Sequence, residues 1–128
     1  MIIFDNPSSV PAPAGQYSHV ARVELAGRTV LQLSGQTAVD ADGQIVGTDM
    51  TTQAEFIMDN ISAILAAHGA TLADVVNLRT YLTDMSKLPD YGKVRAARFT
   101  TPPTITTVEV SRLFMPGALI EVEALAVI

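Results

Sequence analysis

Two carboxylates, Glu121 and Glu123, stand two residues apart in the run Ile120-Glu121-Val122-Glu123-Ala124-Leu125-Ala126 near the end of the chain. On a strand, residues i and i+2 share a face, so Glu123 is placed to raise the proton affinity of Glu121. A glutamate poised in this way suits a general base working near neutral pH. Taken alone, the pair reads sooner as the outward, solvated face of a final strand. Other candidates are few. His19 follows Gly15-Gln16-Tyr17-Ser18 and shares a strand face with Tyr17, where it lines a pocket or packs into a core or interface. His68 falls at a helix C-terminus, where the dipole favours a cation and a structural role is expected. Lys93, Arg95 and Arg98 read as a solvated helix face, and Glu109 as a structural partner for Arg112 or an interface charge. Asp40 to Gly43 resembles the opening of a calcium loop but lacks the later ligands, so it reads as a turn. Histidines and carboxylates nowhere cluster at ligand spacing, so no metal is expected. Nucleophile-elbow, P-loop, zincin and dinucleotide motifs are missing as well.

The elements that must position these residues can be read from periodicity. Up to Gly15, prolines make an irregular arm, with Ile2 to Phe4 able to form a short edge strand. From Tyr17, the residues Tyr17, His19, Ala21, Val23 and Leu25 alternate with Ser18, Arg22 and Glu24, predicting a strand. Ala26-Gly27-Arg28 turns it into a second strand, Thr29 to Gly35. A helix is predicted from about Thr52 to His68, with Thr52 and Glu55 at capping-box spacing and Phe56, Ile57, Ile61, Ile64 and Leu65 on one stripe. Gly69 supplies its left-handed stop. A strand from Val75 to Thr83 follows, then a helix capped by Ser86, with Pro89 in its first turn, running to about Phe99. Strands from Thr104 to Leu113 and from Leu119 to Ile128 close the chain. The order ββαβαββ lacks regular βαβ alternation, so the expected class is α+β, one domain over residues 1–128.

Composition narrows the partners. The balance is acidic, net −5, and eight Lys plus Arg are spread thinly, so no nucleic-acid partner is expected. The absence of cysteine removes disulfides, thiolate catalysis and thiolate metal sites. No leader or membrane-spanning run is evident, which makes a cytoplasmic location and no membrane partner the expectation. A hydrophobic share of 48% is high for 128 residues, and surplus apolar side chains often sit in subunit contacts.

Four segments in this order and spacing carry more than any one of them does alone: Gly15-Gln16-Tyr17-Ser18-His19, Leu33-Ser34-Gly35-Gln36, Thr107-Val108-Glu109-Val110-Ser111-Arg112-Leu113, and the Ile120 to Ala126 run. Together the chain from about Pro7 to Ile128 resembles the Rid family of reactive-intermediate deaminases, the YjgF/L-PSP proteins. The resemblance implies a chorismate-mutase-like mixed sheet with two helices on one face. It also implies a homotrimer with small-molecule clefts between subunits, and hydrolysis of enamines or imines without any cofactor. It places the catalytic glutamate on Glu121 and the substrate-binding tyrosine, serine and glycine on Tyr17, Ser34 and Gly35. The arginine that grips the substrate carboxylate in the family does not carry over. Its place in Pro103-Thr104-Ile105-Thr106 is held by Ile105. Gln16 also replaces a common proline, and the loop before Pro102 is about four residues short of the family pattern.

Isoleucine cannot make a planar bidentate pair with a carboxylate, and losing one partner of such a buried pair costs about 2–5 kcal/mol. The expected function is therefore hydrolysis of an imine- or enamine-type C–N substrate other than an ordinary 2-imino acid, with a water activated by Glu121. The alternatives are a non-catalytic metabolite-binding or regulatory member of the family, or a trimer that only assists another protein of its pathway. The ribonuclease label long attached to the family is disfavoured by the acidic charge and the lack of a histidine pair or lysine-rich face.

Overall fold

The computed structural model describes all 128 residues. The elements follow as β1 (Ile2–Asp5), β2 (Val20–Leu25), β3 (Arg28–Leu33), α1 (Met50–Ala66), β4 (Val75–Leu82), α2 (Leu88–Arg98), β5 (Thr104–Glu109) and β6 (Ile120–Val127). The strands form one mixed sheet in the order β1-β2-β3-β6-β4-β5. All neighbours are antiparallel except β4 and β5, the pair that α2 connects as a crossover. This is the expected α+β architecture, with β1 as the short edge strand.

Strand register sorts the side chains into two faces. One carries Val20, Leu31, Leu33, Leu78, Leu82, Ile120, Val122, Ala124 and Ala126, all buried. Onto it α1 turns Ala54, Ile57, Met58, Ile61, Ile64 and Leu65 at helical spacing, and α2 adds Tyr91 and Val94. These side chains form one core. The Tyr91 hydroxyl enters it against Thr80 Oγ1 at 3.0 Å, so the buried polar group is satisfied. The fully buried Gln53 is satisfied too. Its Nε2 donates to the carbonyls of Gly47 and Gly117 at 3.1 and 2.9 Å, and its Oε1 accepts from the Leu119 amide at 2.9 Å. Gln53 thereby fastens the β5–β6 loop to α1.

Neither helix covers the second face. It presents Ile2, Phe4, Ala21, Val23, Leu25, Val30, Val108, Leu125 and Val127, interrupted by Gln32, Arg79, Tyr81, Glu121 and Glu123. Ile2, Phe4 and Leu25 are 60%, 69% and 59% exposed, so the apolar share of this face is contiguous and open. The alternation read from Ala21 to Leu25 is correct, but it marks this uncovered face; the inward residue is Val20.

Several local expectations are corrected. α1 starts at Met50, capped by Asp49, whose Oδ1 accepts the Thr52 amide at 2.8 Å. Glu55 forms no capping box, because its carboxylate pairs with Arg98 of α2, whose other nitrogen reaches Asp59 at 2.9 Å. A guanidinium between two carboxylates outcompetes one amide bond. Arg98 thus ties the helices together, and Arg95 lies over the Tyr91 ring at 5.2 Å, leaving only Lys93 fully solvated. Ser86 does not cap α2. Asp84 accepts its amide and hydroxyl at 2.9 and 2.6 Å, closing a 3-10 turn ahead of the helix. Glu109 meets the Met85 amide at 2.8 Å, not Arg112. β2 begins at Val20, not Tyr17, and β5 ends at Glu109, not Leu113.

Candidate active site

On β6 the residues alternate between buried and half-buried, which turns Glu121 and Glu123 together onto the uncovered face. Their neighbour is the end of β3. There the register shifts from Gln32↔Leu125 to Gln36↔Val122, four residues on one strand against three on the other. This one-residue bulge lies across Ser34 and Gly35 and re-aims the backbone. It lays Gly35 directly on the Glu121 side chain. A Cβ at position 35 would collide with the carboxylate, standing 2.8 Å from Cδ and 2.9 Å from Cγ. Gly35 does not occupy a left-handed conformation. Close approach, not backbone angle, is what requires glycine here.

Glu121 is half-buried, and its proton affinity is raised first by burial and then by the charge of Glu123. No hydrogen bond from the chain offsets either effect. Glu123 is held differently: the Tyr81 hydroxyl donates to its Oε1 at 2.5 Å, and this bond raises the pKa of Tyr81. The two carboxylates share a face yet have different environments. One is tied by the Tyr81 hydroxyl; the other has no hydrogen-bond partner in the chain.

Glu121 opens into a cavity of about 370 Å³ lined by Ala14, Gly15, Tyr17, Ser34, Gly35 and Phe114. Tyr17 folds back over the arm. Its hydroxyl accepts the Ala14 amide at 3.3 Å, and its ring lies against Gly15, so the ring is presented to the cavity. Ser34 donates its hydroxyl to the Ser18 carbonyl at 2.6 Å. What it offers a ligand is lone pairs. The arm is fastened by His19, which is buried. Its Nε2 meets the Pro11 carbonyl at 2.8 Å, its Nδ1 faces Gln36 Nε2 at 3.3 Å, and its amide donates to Asn6 Oδ1 at 2.9 Å. His19 reaches only a narrow crevice beside the cavity. His68 is structural as expected, joining the end of α1 to Asp5 of β1 at 3.0 Å.

Of the residues singled out from sequence, Tyr17, Ser34, Gly35 and Glu121 therefore come together. Ile105 does not join them within one chain. It lies on β5, two strands beyond β6, on the helix-covered face and packed against the core. Phe114 was missed. It sits in the β5–β6 loop, where no periodicity reports on orientation; its only signal was a large aromatic in the Pro/Gly-containing segment just before the Glu121 strand. The cavity lining contains no lysine, arginine or histidine. No group of three or more histidines and carboxylates is placed to hold a metal.

Comparison with known proteins identifies the family. Residues 7–128 match the family model described as Endoribonuclease L-PSP. A RutC family protein of Sulfurisphaera tokodaii is 40% identical over 88% of this chain and 87% of its own length. The 2-iminobutanoate/2-iminopropanoate deaminase of Salmonella typhimurium is 32% identical over 91% of each chain. The solved structure of YyfA from Yersinia pestis, described as belonging to the conserved Rid protein family, superposes with a TM-score of 0.88 at 28% identity, covering all of both chains. A family match over nearly the whole chain, the shared six-stranded sheet and these relatives lead to one conclusion: the chain belongs to the L-PSP family, the YjgF/RutC/Rid proteins.

Proposed function

We propose that the chain acts as a homotrimer whose intersubunit clefts hydrolyse the C=N bond of an imine, or of the imine tautomer of an enamine, lacking a carboxylate. The observation that carries this reading is the free, half-buried Glu121 carboxylate seated on Gly35, in a cavity without a cationic side chain. The Salmonella relative is named for deamination of 2-imino acids. With Ile105 in the arginine's place, this chain keeps the water-activating group and lacks the carboxylate clamp.

In this reading Glu121 removes a proton from a water as its oxygen attacks the C=N carbon of a protonated imine. The resulting carbinolamine takes that proton on nitrogen from Glu121. The C–N bond then breaks as the oxygen lone pair forms C=O and ammonia departs; Glu121 takes the hydroxyl proton and returns it to the ammonia, leaving a carbonyl compound and ammonium. A base with raised proton affinity suits these transfers. Trimer formation is supported by the open apolar face, which closure of three copies would cover, and in this reading the cleft is completed by the edge strand β5 of an adjoining subunit, near whose start the half-buried Ile105 stands. Sedimentation equilibrium then gives three times the 13.6 kDa chain mass; a monomer at micromolar concentration sinks the shared cleft.

The reaction is tested with two imine sources, a flavin amine oxidase for carboxylate-free imines and a PLP-dependent dehydratase for 2-aminoacrylate, reading the imine remaining by semicarbazide trapping. The expected result is faster loss of the carboxylate-free imine, abolished by Glu121→Gln, with weak action on 2-aminoacrylate. Action on 2-aminoacrylate equal to that of an arginine-bearing relative refutes it. The missing arginine also favours a second reading, metabolite binding without turnover, in which Glu121→Gln alters affinity and no imine is consumed faster than in buffer.

A further inference from the structure

We propose that the cavity takes a cationic, carboxylate-free ligand with a planar apolar body, such as an aryl-substituted iminium or amidinium, and that Phe114 selects it. This inference rests on the function proposed for Glu121 and narrows its substrate class.

The first argument is hydrogen-bonding polarity. Glu121 contributes a carboxylate that accepts nothing from the chain, and Ser34 contributes lone pairs, its proton being committed to Ser18. Both call for N–H donors on the ligand. With no lysine, arginine or histidine in the lining that this chain contributes, an anionic group beside Glu121 would find no compensating charge on that wall. A cation does the opposite, favouring the charged form of a carboxylate that burial and Glu123 disfavour.

The second argument is the shape and chemistry of the walls. Tyr17 and Phe114 are 46% and 59% exposed, and both rings border the same cavity. Large exposed aromatics meeting at a concave surface mark a ligand site more than a solvated one. Their π-faces attract cations, and their area accepts a flat apolar body. A volume of about 370 Å³ suits one ring bearing a one-carbon C=N group. The chain's net charge of −5 draws cations toward the cleft at long range. Phe114 is on the loop that Gln53 fastens to α1, so its ring stands on a held segment.

Three probes of one shape separate the charges: benzamidinium, benzamide and benzoate, titrated calorimetrically into the full-length protein at pH 7 and low salt. Benzamidinium is expected to bind at least tenfold more tightly than benzoate, with benzamide between them. Phe114→Ala is expected to weaken benzamidinium about three- to tenfold, the range for one aromatic and cation–π contact. Phe114→Leu should restore much of the benzamide affinity and little of the preference for the cation. Glu121→Gln should bring benzamidinium and benzamide near parity. The exposure of Phe114 makes both of its variants compatible with the fold, which unchanged thermal melts would verify. Benzoate binding as tightly as benzamidinium, binding of none of the three, or indifference to Phe114→Ala overturns the proposal. Hydrolysis of carboxylate-free imines with benzoate competing as well as benzamidinium sinks the ligand class and leaves the chemistry of Glu121 standing. Selectivity for benzamidinium without turnover upholds the class and removes the chemistry.

Discussion

The contact between Gly35 and Glu121 is open to a direct test by Gly35→Ala. The added methyl would stand 2.8 Å from Glu121 Cδ, and ordinary contact begins at 3.4 Å, so the carboxyl carbon must retreat by at least the difference. The atoms in the way are the outer part of a flexible side chain, so the chain can yield. Accommodating an extra methyl in a packed site costs about 1–3 kcal/mol. Against this, replacing a glycine whose conformation alanine can share stabilises by about 0.4–1 kcal/mol through the unfolded state. The net expectation is a loss of about 0–2.5 kcal/mol, whereas a carboxylate moved by roughly 1 Å reduces turnover about a hundredfold. A double-mutant cycle isolates the cause. With Glu121→Ala in place the methyl has room, and Gly35→Ala should then be neutral or stabilising by about 0.4–1 kcal/mol in urea unfolding. Equal cost of Gly35→Ala in both backgrounds, or unaltered turnover of the single variant, refutes the reasoning.

The remaining predictions concern the base, the loop and the missing clamp. Because burial and Glu123 raise the pKa of Glu121, the acid limb of a pH–rate profile should lie above the ordinary glutamate range, and Glu123→Gln should move it down. For stability the same shift has a definite sign: the neutral form is favoured by folding, so its contribution is full below the unfolded-state pKa and is lost as pH rises through the folded one. Glu121→Gln should therefore leave stability at pH 7 unchanged or higher; a marked loss would show the charge to be structural. Gln53→Leu removes three hydrogen bonds and leaves two carbonyls and an amide without partners, for an expected cost of about 2–4 kcal/mol in urea unfolding. A cost below 1 kcal/mol would mean that the β5–β6 loop is held by other contacts. Ile105→Arg should raise affinity for small 2-oxo acids at least tenfold by calorimetry, and no change would show that position 105 does not reach the ligand.

Much of the fold was legible because its signals are local. The stripe of Ile57, Ile61, Ile64 and Leu65 specified α1, and Gly69 its end at φ 77°. What failed was competition over distance. Glu55 had the right spacing for a capping box, but Arg98 lies 43 residues away in sequence and next to it in space. Ser86 had the right chemistry for a cap, and Asp84 used it for a preceding turn. Among site residues, Tyr17, Ser34, Gly35 and Glu121 were identified through a family resemblance, since composition and period could not join segments more than 80 residues apart. Phe114 escaped both routes, because a loop has no period and the resemblance did not single it out.

By itself, the sequence determined that Glu121 and Glu123 share one face of the last strand, because side chains alternate along any strand whatever surrounds it. It determined the helices and their inward stripes for the same kind of reason. Tertiary structure decided which sheet face is covered. The apolar series Ala21, Val23 and Leu25 is as regular as Ile120, Val122 and Ala124, yet the first is left open and the second is buried. Only the order of strands placed β3 beside β6, and only the bulge at its end set Gly35 on the Glu121 carboxylate. The same order put Ile105 two strands away on the opposite face. Alternation is a property of one strand, whereas a cavity is made by backbones that meet across the chain, and no local period records which of them will be neighbours.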